Sequence, residues 1–456
     1  MLTKTLASPR LILALIVTVF VFRAVLAISI VPPWQHPDEP QHFAWVYMMA
    51  WQQPGSAEYV DLDLEARILH SMSEHGWWHH YDEPEPSPFP KDFSQVPDDH
   101  VWRLGNPPRV YYALAGVVLA FTSPDDLMGQ YYLLRWVALA FAVPTIMCIW
   151  AGSRRLFGVH VAAGATLLTA LHPQFVLMST AVNPDVLVYL CGAVVWWQAA
   201  RFVTGGPVAG SLSPMLCVAM VAFFIKRSAT PLLLMSLTVP VLAGRVRFWG
   251  AVGARGYSVS VLVGVAGLAI FGVLSWAGNS MSWLADYRAY LLSFSRMGPY
   301  VDYGSSLTEW WTFFKQFSEG FINSFWLVAG WLRYPAPASW LLVVHLLTVA
   351  AFTGCARGVR RADQAQWRTG LTLAGILVGI QLAGIYGGLF LKGFSGQGRF
   401  LFPVMGPFMV LIWIGIHSWW PQRAWPFVST TLLSIVFVLD IVSWLGVLVP
   451  AYVGLS

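Results

Sequence analysis

Residues 11–43 read LILALIVTVFVFRAVLAISIVPPWQHPDEPQHF, a long apolar run that ends against four prolines and two adjacent carboxylates. Twenty apolar residues in a helix rise about 30 Å, the thickness of a hydrocarbon core. Prolines 32, 33, 37 and 40 stiffen the chain beyond the run and bar the helix from continuing, so Asp38 and Glu39 are held at the membrane surface. Lys4, Arg10 and the small-residue stretch Ala24–Ala27 also suit a cleavable signal. The length of the apolar run favours a retained helix.

The rest of the chain agrees with a membrane setting. Of 456 residues, 57% are hydrophobic and only 11% charged, against roughly a quarter charged in an ordinary globular chain. Such a composition excludes a soluble globular domain and intrinsic disorder alike. Further apolar runs at 133–151, 161–179, 186–203, 213–225, 229–244, 257–276, 338–356, 370–391, 400–419 and 427–449 bring the expected spans to about eleven. The two short ones, 213–225 and 229–244, also read as a broken hairpin. Cys148, Cys191, Cys217 and Cys355 fall within or at the end of apolar runs, which implies free, buried thiols rather than a disulfide framework.

Basic residues orient the spans. With the N-terminus inside, thirteen of them (Lys4, Arg10, Arg154, Arg155, Arg201, Arg245, Arg247, Arg255, Arg357, Arg360, Arg361, Arg368 and Arg423) fall in cytoplasmic connections. The short outer connections receive only Lys226, Arg227, Lys392 and Arg399. The long segment 32–132 is then outside, with 15 acids against Arg67, Lys91, Arg103 and Arg109, a formal charge of −11. An overall charge of +5 thus averages an acidic outer cap and a basic inner face, and gives no argument for nucleic-acid binding.

Asp38 and Glu39 carry the first candidate chemistry. Helix can restart after Pro40, which places His42 within a turn of both carboxylates. A partly desolvated carboxylate there suits proton abstraction from an incoming hydroxyl. The same two acids equally suit the start of a helix, whose N-terminus favours negative charge.

This segment resembles the DUF2142 family of bacterial membrane proteins, whose first outer loop opens with Pro-Pro-Asp-Glu-Pro-x-His-Phe. Here Asp38-Glu39-Pro40-Gln41-His42-Phe43 fits, while Pro32-Pro33 stands apart from Pro37. Further likenesses come in order along the chain: Asn106-Pro107-Pro108 with Tyr111-Tyr112, Asn183-Pro184-Asp185, Lys226-Arg227-Ser228-Ala229-Thr230, Phe325-Trp326 with Gly330-Trp331, and Gln397-Gly398-Arg399-Phe400-Leu401-Phe402-Pro403.

The resemblance implies a branch of the GT-C superfamily of integral-membrane glycosyltransferases, which take sugar from a polyprenyl-phosphate lipid and pass it to an acceptor on the outer side. On that footing Asp38 is the candidate base, with Glu39 assisting or joining Asp38 in binding a divalent metal such as Mg or Mn, and His42 the third candidate catalytic residue. Tyr111, Tyr112, Asn183, Asp185 and Trp326 are candidates for the substrate cavity. Residues 109–122 become a juxtamembrane helix rather than a span, in keeping with their short length.

Such a transfer also needs positive charge for the departing phosphate. The outer ends supply Arg399, Lys226, Arg227 and Lys392. Arg399 offers a bidentate fork beside Gly398, and the alternative is an arginine snorkelling at a helix end. Other features are weaker. His70, His75, His79 and His80, with Glu74 and Asp82, could hold a metal, but Gly76 interrupts their helix. Asp440 lies mid-span, where an acid is either functional or internally paired. His345 and His417 sit on apolar helices and read as core. Aromatics at 277–337 suit either a sugar-stacking roof or an interfacial belt.

The expected protein is therefore an all-α, GT-C-like polytopic enzyme of the bacterial cytoplasmic membrane. Its expected parts are a first span (1–31), an outer loop (32–132), a helical core (133–276), an aromatic-rich outer segment (277–337) and C-terminal spans (338–456). Its expected partners are a polyprenyl-phosphate sugar donor, a glycan or lipid-linked acceptor, and membrane lipid. A transporter or flippase of lipid-linked sugars and a non-catalytic envelope-assembly scaffold are the rival readings. No Walker-type phosphate loop is present to power an ATP-driven pump.

Overall fold

The first span forms as read. In the computed structural model it is helix α1, Pro9–Ile30, whose start is fixed by Pro9 at its first position and by the Ser8 hydroxyl accepting from the Leu11 N–H at 3.3 Å. Leu11, Leu15, Val19 and Phe22 form its exposed, lipid-side face, while Ile16, Phe20, Arg23, Ala24 and Ala27 are buried. The structure describes residues 8–51, 60–80, 84–96, 101–104, 109–205, 212–242, 307–361, 365–392 and 396–454. The expected span 257–276 and residues 277–306 of the aromatic segment lie outside these.

Residues 32–132 contribute helices α2 (Glu39–Trp51), α3 (Leu62–Glu74), the short α4 (Trp77–His80) and α5 (Val110–Leu119). Helix α5 packs along α2 and turns Leu114 and Val117 outward, with Phe121 just beyond. An exposed apolar face on a ten-residue helix suits one lying in the membrane interface, as expected for 109–122.

Helix α6 (Leu127–Phe157) is 31 residues long and packs along α9 (Asp185–Thr204). Between them the expected span 161–179 breaks into α7 (Val159–Ala170) and α8 (Pro173–Met178). Pro173 cannot donate a backbone hydrogen bond, and the His172 ring restarts the helix by accepting from the Phe175 N–H at 3.1 Å. Irregular backbone at membrane depth survives only where protein satisfies it. Arg23 donates to the Ala170 carbonyl, Gln174 accepts from the Val328 N–H at 3.1 Å, and Glu39 accepts from the Val182 N–H at 3.0 Å.

Helices α10 (Ser213–Ile225) and α11 (Thr230–Leu242) have 13 residues each and meet at a short turn, Arg227–Ala229, which is the broken hairpin. Helix α12 (Leu307–Trp326) leads into a two-stranded hairpin, β1 (Val328–Ala329) and β2 (Tyr334–Pro335), a small departure from an all-helical chain. Its tip docks on the 32–132 segment, with Trp331 donating to the Trp34 carbonyl at 2.9 Å and Tyr334 to the His80 carbonyl at 3.1 Å. Helices α13 (Ala338–Arg361), α14 (Ala365–Lys392), α15 (Met405–His417), α16 (Trp425–Ser443) and α17 (Val449–Val453) complete the bundle.

Among the described residues seven helical segments are long and apolar enough to cross a membrane, against about eleven expected. Of the other four, one is broken at Pro173, two are the short hairpin helices and one lies outside the described residues. All four cysteines are free, but only Cys191 and Cys355 are buried; Cys148 is half-buried and Cys217 exposed.

Candidate functional site

Two ends of the bundle are defined by contacts. At one, Arg155 on α6 bonds Thr204 on α9 at 2.6 Å, and Gln366 at the start of α14 bonds the Arg155 and Leu156 carbonyls at 3.0 Å. At the opposite end the C-terminus of α1, the N-termini of α6 and α9, the C-terminus of α10 and the 3₁₀ segment Gly398–Val404 converge, and there the candidate residues gather.

Asp38 has φ 68°, a left-handed conformation that aspartate tolerates better than most residues with a side chain. The next residue opens α2, and the two carboxylates go to different partners. Asp38 Oδ2 accepts from Arg399 Nη2 at 2.6 Å. Arg399 Nε lies 3.6 Å from Asp185 Oδ2, and Lys226 Nζ donates to Asp185 Oδ1. Two acids thus balance two bases, and Asp38, Asp185 and Arg399 are all largely shielded from solvent. Burial by itself would raise the Asp38 pKa, but Arg399, His42 and Lys226 together hold it below the usual carboxylate range.

His42 Nδ1 shares a hydrogen with the Tyr112 hydroxyl at 2.8 Å. Burial lowers its pKa to about 4 against the pull of Asp38, so the ring is neutral at pH 7. Burial raises the phenols of Tyr111 and Tyr112, and both stay protonated. Asn183 braces the start of α9, its Oδ1 accepting from the Asp185 N–H at 2.9 Å and its Nδ2 donating to the Pro37 carbonyl at 3.4 Å.

Arg399 is placed by close backbone approach. A Cβ on Gly192 of α9 would lie 2.0 Å from the Pro403 carbonyl oxygen, and one on Gly398 would lie 2.0 Å from the Phe325 nitrogen. Only glycine lets the 3₁₀ segment seat this deeply between α9 and α12. Buried as it is, Arg399 keeps Nη1 and Nε without hydrogen-bond partners among the described residues, and the Tyr189 hydroxyl, one turn along α9 from Asp185, has none either. Leaving such donors unmade is costly, and all belong to one cluster.

The remaining expected site residues fall elsewhere. Glu39 is fully buried, accepting from Tyr131 at 2.6 Å, the His36 N–H at 3.2 Å and the Val182 N–H, with Arg135 at 3.5 Å. Both its oxygens are engaged by groups other than Asp38's partners, so the pair does not fit a shared metal. Among the described residues no group of three His, Cys, Asp or Glu side chains could hold one, and the loop histidines are dispersed: His70 stacks on Phe89 and His75 bonds the Ser71 carbonyl. Trp326 stacks on His172, not on the charged cluster. Arg227 comes directly after Lys226 on the short turn, but the ion pair with Asp185 is made by Lys226. Lys392 ends α14, and its side chain lies outside the described part of the chain.

Arg135, Tyr131 and Tyr189 were not foreseen. Tyr189 stands four residues after Asp185, on the same face of α9. Nothing local marks Arg135, which serves a residue 96 positions away.

Fold and site together define a polytopic α-helical membrane protein with a balanced, buried cluster of ionic side chains at one end of its bundle. The model of the DUF2142 family, described as predicted membrane proteins, matches residues 19–406, and the chain belongs to that family. No curated protein and no solved structure matches it.

Proposed function

We propose that the protein is a GT-C-type glycosyltransferase of the bacterial cytoplasmic membrane, its N-terminus inside and its charged cluster facing out. It takes a sugar from a polyprenyl-phosphate donor and passes it to a glycan or lipid-linked acceptor. The observation that carries this reading is the direct, buried ion pair of Asp38 and Arg399, with the guanidinium Nη1 and Nε still without hydrogen-bond partners among the described residues.

The pair suits an exchange of partners. At rest Arg399 keeps Asp38 ionised and weakly basic. A donor phosphate engaging Arg399 and Lys226 draws positive charge from Asp38 and raises its affinity for a proton. The acceptor hydroxyl then gives its proton to Asp38 while its oxygen attacks the anomeric carbon. The bond from that carbon to the phosphate oxygen breaks, the configuration inverts, and polyprenyl phosphate leaves with its negative charge on Arg399 and Lys226. Neutral His42 and Tyr112 hold the floor of the site by hydrogen bonding. No step is routed through a metal.

The transporter reading needs charges along a path through the bilayer. Arg23 and Asp440 are instead closed on each other. Incubating the purified protein with a panel of polyprenyl-phosphate sugars and acceptor glycans tests the proposal. Transfer by the native chain and none by Asp38→Asn supports it, while full transfer by Asp38→Asn removes the assigned base.

A further inference from the structure

Beside α2, on the outer cap, lies a cavity of about 110 Å³ that the charged cluster does not use. Its wall combines Gln41 and Trp45 from α2, Asp61 and Glu65 from the start of α3, and Trp102 and Arg103 from the stretch of chain 101–104. Most of its polar groups are committed. Glu65 takes Arg103 through two bonds of 2.8 Å and the Phe93 N–H at 3.0 Å. Asp61 caps α3 at the Leu64 N–H, and Trp45 donates to the Leu104 carbonyl at 3.0 Å.

Gln41 is the exception. It is 1% exposed, and neither its amide nitrogen nor its carbonyl oxygen has a partner among the described residues. A buried primary amide with both ends unmade demands a ligand that both donates and accepts. Hydroxyl groups do so, and indole rings offer apolar faces against which the C–H face of a sugar ring packs. The space suits one ring rather than a chain of them. One cation against two carboxylates on the wall disfavours an anionic ligand.

We infer that this cavity is a carbohydrate subsite that holds one neutral pyranose ring of the acceptor through the Gln41 amide and the Trp45 and Trp102 rings. Gln41 lies in the first turn of α2, three residues after Asp38, so the subsite adjoins the reactive cluster. That the sugar belongs to an acceptor rests on the transferase reading. That it binds does not.

The test uses the full chain in nanodiscs, with methyl glucoside, methyl galactoside, methyl mannoside, N-acetylglucosamine and glucuronate as probes, read by saturation-transfer NMR and tryptophan fluorescence. At least one neutral pyranoside binds, glucuronate binds more weakly, and Gln41→Leu and Trp102→Ala each weaken binding about tenfold or more. Trp102 is partly exposed, so its variant keeps the test sound if Gln41→Leu fails to fold. Failure of every neutral probe, preference for glucuronate, or binding unchanged in the folded variants overturns the subsite. Sugar binding without any lipid-sugar transfer would instead remove the transferase reading and leave the subsite standing.

Discussion

Asp38 and Glu39 are adjacent, yet the left-handed backbone at Asp38 gives them different partners and different expected phenotypes. Asparagine also tolerates that conformation, so Asp38→Asn keeps the turn while removing the charge opposite Arg399. Arg399 keeps Asp185 at 3.6 Å, so this variant should lose some stability from the broken buried pair, less than Glu39→Gln, and transfer no sugar. Glu39→Gln faces Arg135 with both side chains wholly buried. Breaking one partner of such a pair costs about 3–5 kcal/mol, so this variant should lose stability first, measured as a lower unfolding temperature in detergent. Equal stability loss in both variants would contradict the division of labour.

His36 and His42 add a pH dependence whose sign is fixed. Burial lowers both pKa values to about 4 in the folded chain, below the ordinary value of about 6.5 in the unfolded one. Between those values the unfolded state binds more protons, so stability is intact above about pH 6.5 and falls as the pH drops toward about 4. Each ring contributes on the order of 3 kcal/mol to that loss. Asp38 and Glu39, held below the carboxylate range, add a further loss only below about pH 4. His36→Asn should flatten the fall of unfolding temperature between about pH 6.5 and 4.5, and an unchanged profile would exclude His36 as its source.

Among the elements, the 3₁₀ segment Gly398–Val404 carries Arg399 and is seated against the backbone of its neighbours. Gly192→Ala puts a methyl group against the Pro403 carbonyl, which is backbone and cannot swing aside. Overpacking of this kind costs about 1–3 kcal/mol. The expected result is a lower unfolding temperature together with weaker donor binding, because the displaced segment takes Arg399 with it. A variant destabilised but unchanged in donor KM would separate the two.

The same elements show what a sequence discloses. Arg399 and Asp38 were legible because charge is scarce in this chain and both stand where an apolar run begins or ends. Asp185 and Lys226 were legible for the same reason. The inner role of Glu39 was not, since it depends on one dihedral angle and on Arg135, far along the chain. The break at His172-Pro173 was written in the proline, but the apolar run around it reads as one span until tertiary contacts are known to satisfy the broken backbone. Gln41 was silent altogether, because an unpaired amide is a property of its neighbours.

Across the whole molecule one ionic contact joins the first span to the last. Arg23 donates to Asp440 and to the Ala170 carbonyl, and Trp444 donates to Asp440 at 3.2 Å. Both ionic side chains are buried on membrane-crossing helices, where an isolated charge is expensive. The pair therefore clips α1, α7 and α16 together and caps the helix end that the break at Pro173 leaves open. Arg23→Leu alone strands Asp440, and Asp440→Leu alone strands Arg23. Each should cost about 3–5 kcal/mol, whereas the double variant should recover most of it, losing chiefly the bond to Ala170. Unfolding temperatures of the four proteins in nanodiscs measure the coupling. If the pair is a clip, the double variant also retains sugar transfer. A double variant as unstable as either single one would show that the pair is not what joins these helices, and one stable but inactive would place Arg23 and Asp440 in the working machinery.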